Sequence, residues 1–317
     1  MSLISLVVPC FNEADAIPFF IRETAEVIDS MSNHSFEIIF VDDGSSDKTL
    51  EILRELVKTD GRVRYLSLSR NFGKEGAMLA GLRASRGDYT AVMDADLQDP
   101  PSMLPLMLKV VQEEGYDCAG TRRVTRKGEP PIRSFFARMF YRSINWVSST
   151  KLVDGARDFK LMSRPVVDAL VSLPEYHRFS KGLYEWVGFK TKWLEFENVE
   201  RVAGETHWSF WKLFLYSIEG LVAFTTMPLF ISSLLGIAFM AFSLASIVFL
   251  CLRQMFWHAS VSGWTSLVCI IIFFCGIQLF CTGIIGQYLA KTYMETKRRP
   301  HYIVKEQSPE SEHPQMR

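Results

Sequence analysis

Two stretches of this chain, PLFISSLLGIAFMAFSLASIVFLCL (Pro228 to Leu252) and GWTSLVCIIIFFCGIQLFCTGIIGQYLA (Gly263 to Ala290), are almost without charge. Each exceeds the roughly 20 residues that a helix needs to cross a bilayer. A pair of buried core helices is the alternative, but residues 1 to 212 have the composition of an ordinary soluble protein. The spans are therefore expected to form a transmembrane hairpin. Its connecting segment, RQMFWHASVS, carries one certain positive charge, Arg253, whereas Lys212 precedes the first span and Lys291, Lys297, Arg298 and Arg299 follow the second. The positive-inside rule then puts both ends in the cytoplasm.

The amino-terminal region must share that compartment. Its first apolar run, LISLVV, is short, lacks a basic leader and leads directly into PCFNE, unlike a secretory signal. Among the six cysteines no CxxC or Cys/His spacing suggests zinc or a disulfide framework, so all six read as packing residues in a reducing location. Lys plus Arg and Asp plus Glu balance at 35 each, and no global basic field argues for a nucleic-acid partner.

Ahead of the spans, β and α signals alternate. SLISLVVP, FEIIFVDD, VRYLSLS, DYTAVMD and DCAGTR read as strands, separated by helical periodicity in AIPFFIRETAEVIDSM and KTLEILRELVKT. This pattern predicts an α/β domain, a mainly parallel sheet with helices on both faces. Ligands of such sheets bind beyond the carboxyl ends of the strands. The polar motifs PCFNE, DDGSSDKT, SRNFGKEG and DADLQDPP fall at those ends in turn. Neither GxGxxG after the first strand nor GxxxxGK[ST] anywhere is found, which argues against dinucleotide oxidoreductases and P-loop hydrolases.

MDADLQDPP sets Asp94, Asp96 and Asp99 just past a strand. Such carboxylates can hold a hard divalent cation that shares phosphate oxygens. They can equally form a solvated Asp-rich turn. DDGSSD can act as an Asx-type turn capping the next helix through Ser46 or Asp47. In SRNFGKEG, Arg70 and Lys74 are solvated loop charges or ligand contacts, and the flanking glycine at the ligand edge favours the second.

The stretch TRRVTRKGEPPIRSFFARMFYRSINWVSS has seven Lys or Arg residues between Arg122 and Arg142, with Phe135, Phe136, Phe140, Tyr141 and Trp146 among and after them. An RNA-binding strip mixes the same residue types. With two spans in the chain, a surface-lying membrane helix is the better reading, and WSFWKLFLYSIEGLVAF (Trp208 to Phe224) is a second one.

In this order, VPCFNE, VDDGSSDKT, SRNFGKEGAMLAGL, MDADLQDPP and DGARDFKLMSR, followed by two spans, resemble the polyisoprenyl-phosphate glycosyltransferases of glycosyltransferase family 2, over roughly residues 2 to 299. The bacterial bactoprenol glucosyltransferases look nearest and dolichol-phosphate mannose synthase more distant. The resemblance implies a GT-A type, Rossmann-like nucleotide-sugar domain over residues 1–205. An interfacial helix (206–224), a two-helix transmembrane hairpin (225–292) and a polar cytoplasmic tail (293–317) would follow, the tail disordered after Tyr302. It also implies a multi-pass protein of the bacterial inner (plasma) membrane.

The implied activity is inverting transfer of a hexose, glucose first, from a UDP-sugar to undecaprenyl phosphate for cell-envelope glycans. UDP-N-acetylglucosamine as donor, or a glycan as acceptor, is the alternative. Pro9, Phe11, Glu13 and Asp43 would line the uridine, with Arg70, Lys74 and Ala95 also on the nucleotide-sugar side. Asp94, Asp96 and Gln98 would surround the diphosphate and a Mg²⁺ or Mn²⁺ ion. Asp158 would be catalytic at the reaction centre, taking the last proton or orienting the acceptor, with a loop residue paired to Arg157 or Lys160 as the alternative. Arg122, Arg133 and Arg201 match the positions at which the family's arginines meet diphosphate or lipid phosphate. One departure stands out: the family's AGESKW is AGETHW here, with His207 in the lysine's place. A partly charged histidine there predicts lipid-phosphate binding that weakens above pH ~7. Gly236, Gly276, Gly283 and Gly286 offer close-packing helix faces, and a homotetramer is expected. No QxxRW motif points to a processive polymerase, a noncatalytic scaffold would have a broken DAD, and no local motif reads out the sugar.

Overall fold

The computed structural model describes residues 1–123, 153, 155–196, 226–257 and 263–309. The chain divides into two compact units, Met1–Phe214 with Arg299–Arg317, and Leu215–Arg298.

The first unit is built on one mixed sheet. Its strands are β1 (Ser2–Cys10), β2 (His34–Asp42), β3 (Val63–Leu68), β4 (Tyr89–Val92), β5 (Cys118–Arg123), β6 (Ala156–Ser163), β7 (Thr191–Phe196) and β8 (Val304–Gln307). Their spatial order is β7-β5-β6-β4-β1-β2-β3-β8. β1 is parallel to both β2 and β4, and β2 to β3, which makes the expected parallel half. β6 runs antiparallel to β4 and to β5, and β7 returns parallel to β5. β1 leads on to β2 on one side and has β4 on the other, so the strand order reverses at β1/β4. A crevice opens at such a reversal.

Strands covered on both faces read as nearly continuous apolar runs, as β1 and β2 do: Ile4, Leu6, Val7, Val8, Ile38, Ile39, Phe40 and Val41 are all buried. Helices α1 (Ile17–Ser30), α2 (Thr49–Thr59), α3 (Lys74–Ala84) and α4 (Leu104–Glu113) alternate with the parallel strands, and α5 (Arg164–Ser172) and α6 (Ser180–Trp186) follow β6. Below α1, Phe20 meets Phe40 edge to face, 5.8 Å between ring centres. Residues Gly76 to Leu82 of α3 are all buried. Gly81 lets this helix lie directly on β1, since a Cβ there would come within 2.2 Å of Val7 Cγ1.

The carboxyl-terminal tail differs from the expected disordered segment. Val304–Gln307 pairs antiparallel with β3, matching Leu66 to Gln307 and Ser67 to Glu306. An open edge strand is a template for any chain that can reach it, and side chains fix this one. Arg54 donates to Glu306 through Nε and Nη2, at 2.8 and 2.6 Å, and Tyr65 Oη donates to it at 2.6 Å. Upstream, His301 Nε2 lies 2.7 Å from the Glu175 carbonyl oxygen.

The second unit contains α7 (Met227–Trp257) and α8 (Trp264–Thr296), of 31 and 33 residues. At 1.5 Å per residue these run about 46 and 50 Å, beyond the hydrocarbon thickness of about 30 Å. Two helices long and apolar enough to cross a membrane are thus present, and side chains such as Phe230, Met240, Phe242, Leu279 and Phe280 are more than half exposed. The hydroxyls of Ser233, Ser246, Thr282 and Thr292 donate to carbonyls one turn back, leaving no unpaired donor at those positions. Both helices overrun the expected spans, by five residues at Trp257 and by six at Thr296. The expected boundary at 205 and interfacial helix over 206–224 lie outside the described residues, as does the basic-aromatic stretch from 124 to 149.

Candidate functional site

Four loops meet at the carboxyl edge of the parallel strands. The first, Pro9 to Ala14, leaves β1 with Asn12 in the left-handed region (φ 56°) and Phe11 46 % exposed. The second, Asp42 to Asp47, is stitched to it. The Asn12 amide donates to Ser45 Oγ (2.9 Å), the Ser46 amide to Asn12 Oδ1 (2.9 Å), the Glu13 amide to Thr49 Oγ1 (2.9 Å) and the Ala14 amide to Asp47 Oδ2 (3.2 Å). Within the second loop Asp42 accepts from the Ser45 amide and Ser67 Oγ, and Asp47 from the Thr49 amide. The Asx-turn reading therefore holds, although the position next to α2 is Lys48 rather than Ser46 or Asp47.

Asp43 reaches the third loop. Its two carboxylate oxygens accept the Phe72 amide at 2.7 Å and the Gly73 amide at 2.9 Å. Burial pushes this carboxyl above the usual range, against the lowering pull of those two amides. Gly44 is required beside it: φ is +71°, and a Cβ would sit 2.6 Å from the Arg70 carbonyl carbon. Arg70 lies at the surface, its guanidinium 4.1 Å from the centre of the Phe72 ring.

Lys74 begins α3, directly after that loop. Its ammonium donates to Asp94, 2.7 Å from Oδ1 and 2.9 Å from Oδ2, and to Asp158 Oδ2 at 2.5 Å. Asp94 comes from the loop after β4 and Asp158 from β6, so a single cation joins three elements. Desolvation acts to lower the Lys74 pKa, but Asp158 and then Asp94 outweigh it and hold it well above the usual value. Burial likewise pushes Asp158 up, but Lys74 first and Lys181 second hold it well below the usual carboxylate range.

In the fourth loop Asp96 Oδ1 accepts the Gln98 amide at 3.1 Å, Ala95 is buried, and Leu97 takes φ 56°, strained for a branched residue. Arg157 Nη2 donates to Gln98 Oε1 at 3.2 Å, and Arg157 Nε to Asp99 Oδ1 at 2.9 Å. Asp99 is fully buried, which pushes it up to about 6 despite Arg157. Asp99 thus ties β6 to the loop.

The expected residues Pro9, Phe11, Glu13, Asp43, Arg70, Lys74, Asp94, Ala95, Asp96, Gln98 and Asp158 all lie in these loops or at the adjoining ends of β1, α3 and β6. Arg122 does not join them by its side chain, which pairs with Glu195 across β5 and β7. Arg133, Arg201 and His207 are outside the described residues. Three features escaped sequence reasoning: the Lys74 bridge, β8, and Glu75, which accepts the Ser180 amide at 2.9 Å and its hydroxyl, tying α3 to α6. Lys160, two residues beyond Asp158, is buried against the rings of Tyr184 and Trp193, 4.6 and 5.0 Å from their centres.

Among the described residues no three His, Cys, Asp or Glu side chains converge as a complete metal cage. The donor set is of another kind: Asp94 and Asp158 already share one cation between oxygens, with Asp96 two residues from Asp94. Magnesium-type ions commonly use one or two carboxylates and take their remaining ligands from substrate phosphates and water. The residues fit an ion of that shared kind.

Residues 5–171 match the model of the glycosyl transferase family 2 domain. The putative glycosyltransferase CsbB of Bacillus subtilis is 41 % identical over 304 residues, 96 % of this chain and 92 % of that one. A prophage bactoprenol glucosyl transferase homolog of Escherichia coli is 38 % identical, and the bactoprenol glucosyl transferase of Shigella phage SfX 37 % identical, each over 95 % of this chain and 98 % of its own. Among solved structures, mannosyl-3-phosphoglycerate synthase from Rubrobacter xylanophilus aligns with a TM-score of 0.48 at 20 % identity, over 70 % of this chain and 73 % of that one. With its motifs on the carboxyl edge of a GT-A type sheet, and relatives alike from end to end, this chain belongs to glycosyltransferase family 2.

Proposed function

We propose that the protein transfers glucose from UDP-glucose to undecaprenyl phosphate at the cytoplasmic face of a bacterial plasma membrane, with inversion. The observation that carries this reading is the likeness, over 95 % of the chain, to proteins named bactoprenol glucosyl transferases. That likeness extends through both apolar helices, which a soluble acceptor would not require.

The geometry supports the chemistry. An oxygen of the lipid phosphate attacks the anomeric carbon, the bond from that carbon to the β-phosphate oxygen breaks, and UDP departs with the electron pair. An α-linked donor becomes a β-linked lipid phosphate sugar. A divalent Mg²⁺ or Mn²⁺ ion bound with the diphosphate would neutralise charge on the leaving group, with Asp94 and Asp96 as its protein ligands. Gln98 joins that set only if its Oε1 leaves Arg157. Because Lys74 holds Asp158 well below the usual carboxylate range, Asp158 is a poor proton acceptor. A phosphate monoester, with a second pKa of about 6, arrives already deprotonated. Asp158 therefore orients Lys74 and the acceptor rather than acting as a strong base. Phe11, half exposed in the Pro9–Ala14 loop, would offer a face for the uracil.

The topology has its own support. β8 follows α8 and pairs in the same sheet as β1, which supports a chain that leaves for the apolar helices and returns to the same side of the membrane. An even number of crossings satisfies that, as a two-helix hairpin does. Gly236, Gly276, Gly283 and Gly286 all face open space, leaving those helix faces available for the proposed homotetramer.

The test is a panel of radiolabelled UDP-glucose, UDP-N-acetylglucosamine and UDP-galactose with undecaprenyl phosphate and Mg²⁺ or Mn²⁺, using detergent-purified protein. Glucose label alone entering the organic phase is the expected outcome. Label from another donor moves the sugar assignment, and none from any donor sinks the lipid acceptor.

A further inference from the structure

The Lys74 ammonium lies across both oxygens of Asp94, at 2.7 and 2.9 Å, while holding Asp158 at 2.5 Å. An ammonium offers donors and no lone pair, so it cannot be a metal ligand. It occupies the face of Asp94 that an ion shared with a diphosphate would need, and two cations on one carboxylate repel. Lys74 has a flexible stem that starts at the first turn of α3, and its side chain is 42 % exposed, so the head can move without disturbing the buried part of the helix.

We propose that Lys74 is a displaceable internal counter-ion, neutralising Asp94 and Asp158 in the empty enzyme and yielding Asp94 only when a divalent ion arrives together with the diphosphate of the donor. The inference rests on the nucleotide-diphosphate reading above. A bare divalent ion must compete with Lys74 and leaves the ammonium one carboxylate short. With the diphosphate present, the ammonium keeps Asp158 and turns to a phosphate oxygen, so its lost partner is replaced. Lys74 thereby couples the two binding events, and free metal is kept from occupying the carboxylates alone. Coupling of this kind is reciprocal, each ligand tightening the other by the same factor.

The experiment measures Mn²⁺ affinity directly, from the electron paramagnetic resonance signal of free Mn²⁺, on full-length protein in detergent with and without UDP. Wild-type protein is expected to bind Mn²⁺ about 10-fold more tightly with UDP than without. Lys74→Met should bind Mn²⁺ alone about 10-fold more tightly than wild type, with the enhancement by UDP reduced to below about 3-fold. Lys74→Arg, which keeps the charge, should remain near wild type. Thermal unfolding checks that Lys74→Met is folded, and Lys74→Gln replaces it if it is not. Equal or weaker Mn²⁺ affinity in the folded neutral variant without UDP overturns the counter-ion. Failure of wild type to bind Mn²⁺ even with UDP overturns instead the diphosphate reading beneath it.

Discussion

Two Asp-rich turns flank β1 at the carboxyl edge of the sheet, alike in composition and unlike in what Asp43 and Asp94 hold. In DDGSSD, Asp42, Asp43 and Asp47 each accept at least one backbone amide, and those amides belong to the neighbouring loops as well as to the turn itself. In DADLQD, Asp96 accepts the Gln98 amide through Oδ1, whereas Asp94 meets no amide among the described residues but a lysine ammonium on a flexible stem, which Asp158 shares. A carboxylate committed to fixed amides is scaffold, because releasing it leaves buried donors unpaired. A carboxylate that faces a mobile cation can exchange that partner for a ligand. Aspartate content alone does not separate these cases; the partner does.

The sharpest way to break this contrast is to neutralise each kind of aspartate and read rate and stability separately. Asp94→Asn and Asp158→Asn should each lower sugar transfer by about 10²–10³-fold, the cost of losing a preorganised charge at a reaction centre. The same variants should change unfolding free energy by no more than about 1 kcal/mol, since Lys74 is partly solvated and keeps one partner. Asp43→Ala should do the reverse. Leaving the Phe72 and Gly73 amides unpaired costs about 2–4 kcal/mol in denaturant unfolding, and transfer by the folded fraction should fall far less. A stable but inactive Asp43→Ala would move Asp43 to the ligand side of the comparison.

Gly44→Ala probes the scaffold turn by shape alone. A Cβ facing the Arg70 backbone at 2.6 Å, with φ at +71°, should cost on the order of 2 kcal/mol in stability and loosen the 70–73 loop. A calorimetric change below about 0.5 kcal/mol would show that the two loops are less tightly joined than the hydrogen bonds indicate.

The contrast also explains what the sequence could and could not disclose. Both turns, their place at strand ends and the two apolar segments were readable because each is a local pattern: alternation, a run without charge, or an Asp-Gly cluster. The Lys74 bridge was not, since its partners lie 20 and 84 positions away and come together only through the sheet order β6-β4-β1. The partner of Arg122 was hidden for the same reason: the residue opposite it in the β5/β7 register, Glu195, is 73 positions on and takes its side chain. β8 was hidden because VKEQ is four polar-leaning residues following a long apolar helix, and its strand character comes from the open edge of β3 rather than from its own propensity.

That edge gives the smallest expected effect and extends the comparison to a third carboxylate. Glu306 resembles Asp94 in meeting a side-chain cation, yet Arg54 holds it with two donors and Tyr65 adds a third, so it should behave as scaffold. The Arg54 hydrogen bonds first, and that from Tyr65 second, hold its carboxyl down at about 2. An unfolded glutamate titrates near pH 4.3. A folded pKa below the unfolded one means that the stabilisation is fully present above about pH 4.3 and is lost as pH falls towards about 2. Because the pair is solvated, the loss should appear first as local release of β8, not as global unfolding. Hydrogen exchange at the Glu306 amide and at the Ser69 and Ser308 amides, which bond to Ile303 and Tyr65 carbonyls, should accelerate over that window relative to the β1 amides, after correction for intrinsic rates. Glu306→Gln should exchange faster at neutral pH and lose the acid dependence. If the acid-induced release persists in Glu306→Gln, another group controls the strand, and the return of the chain after α8 is held by backbone pairing and by the His301 contact with Glu175 instead.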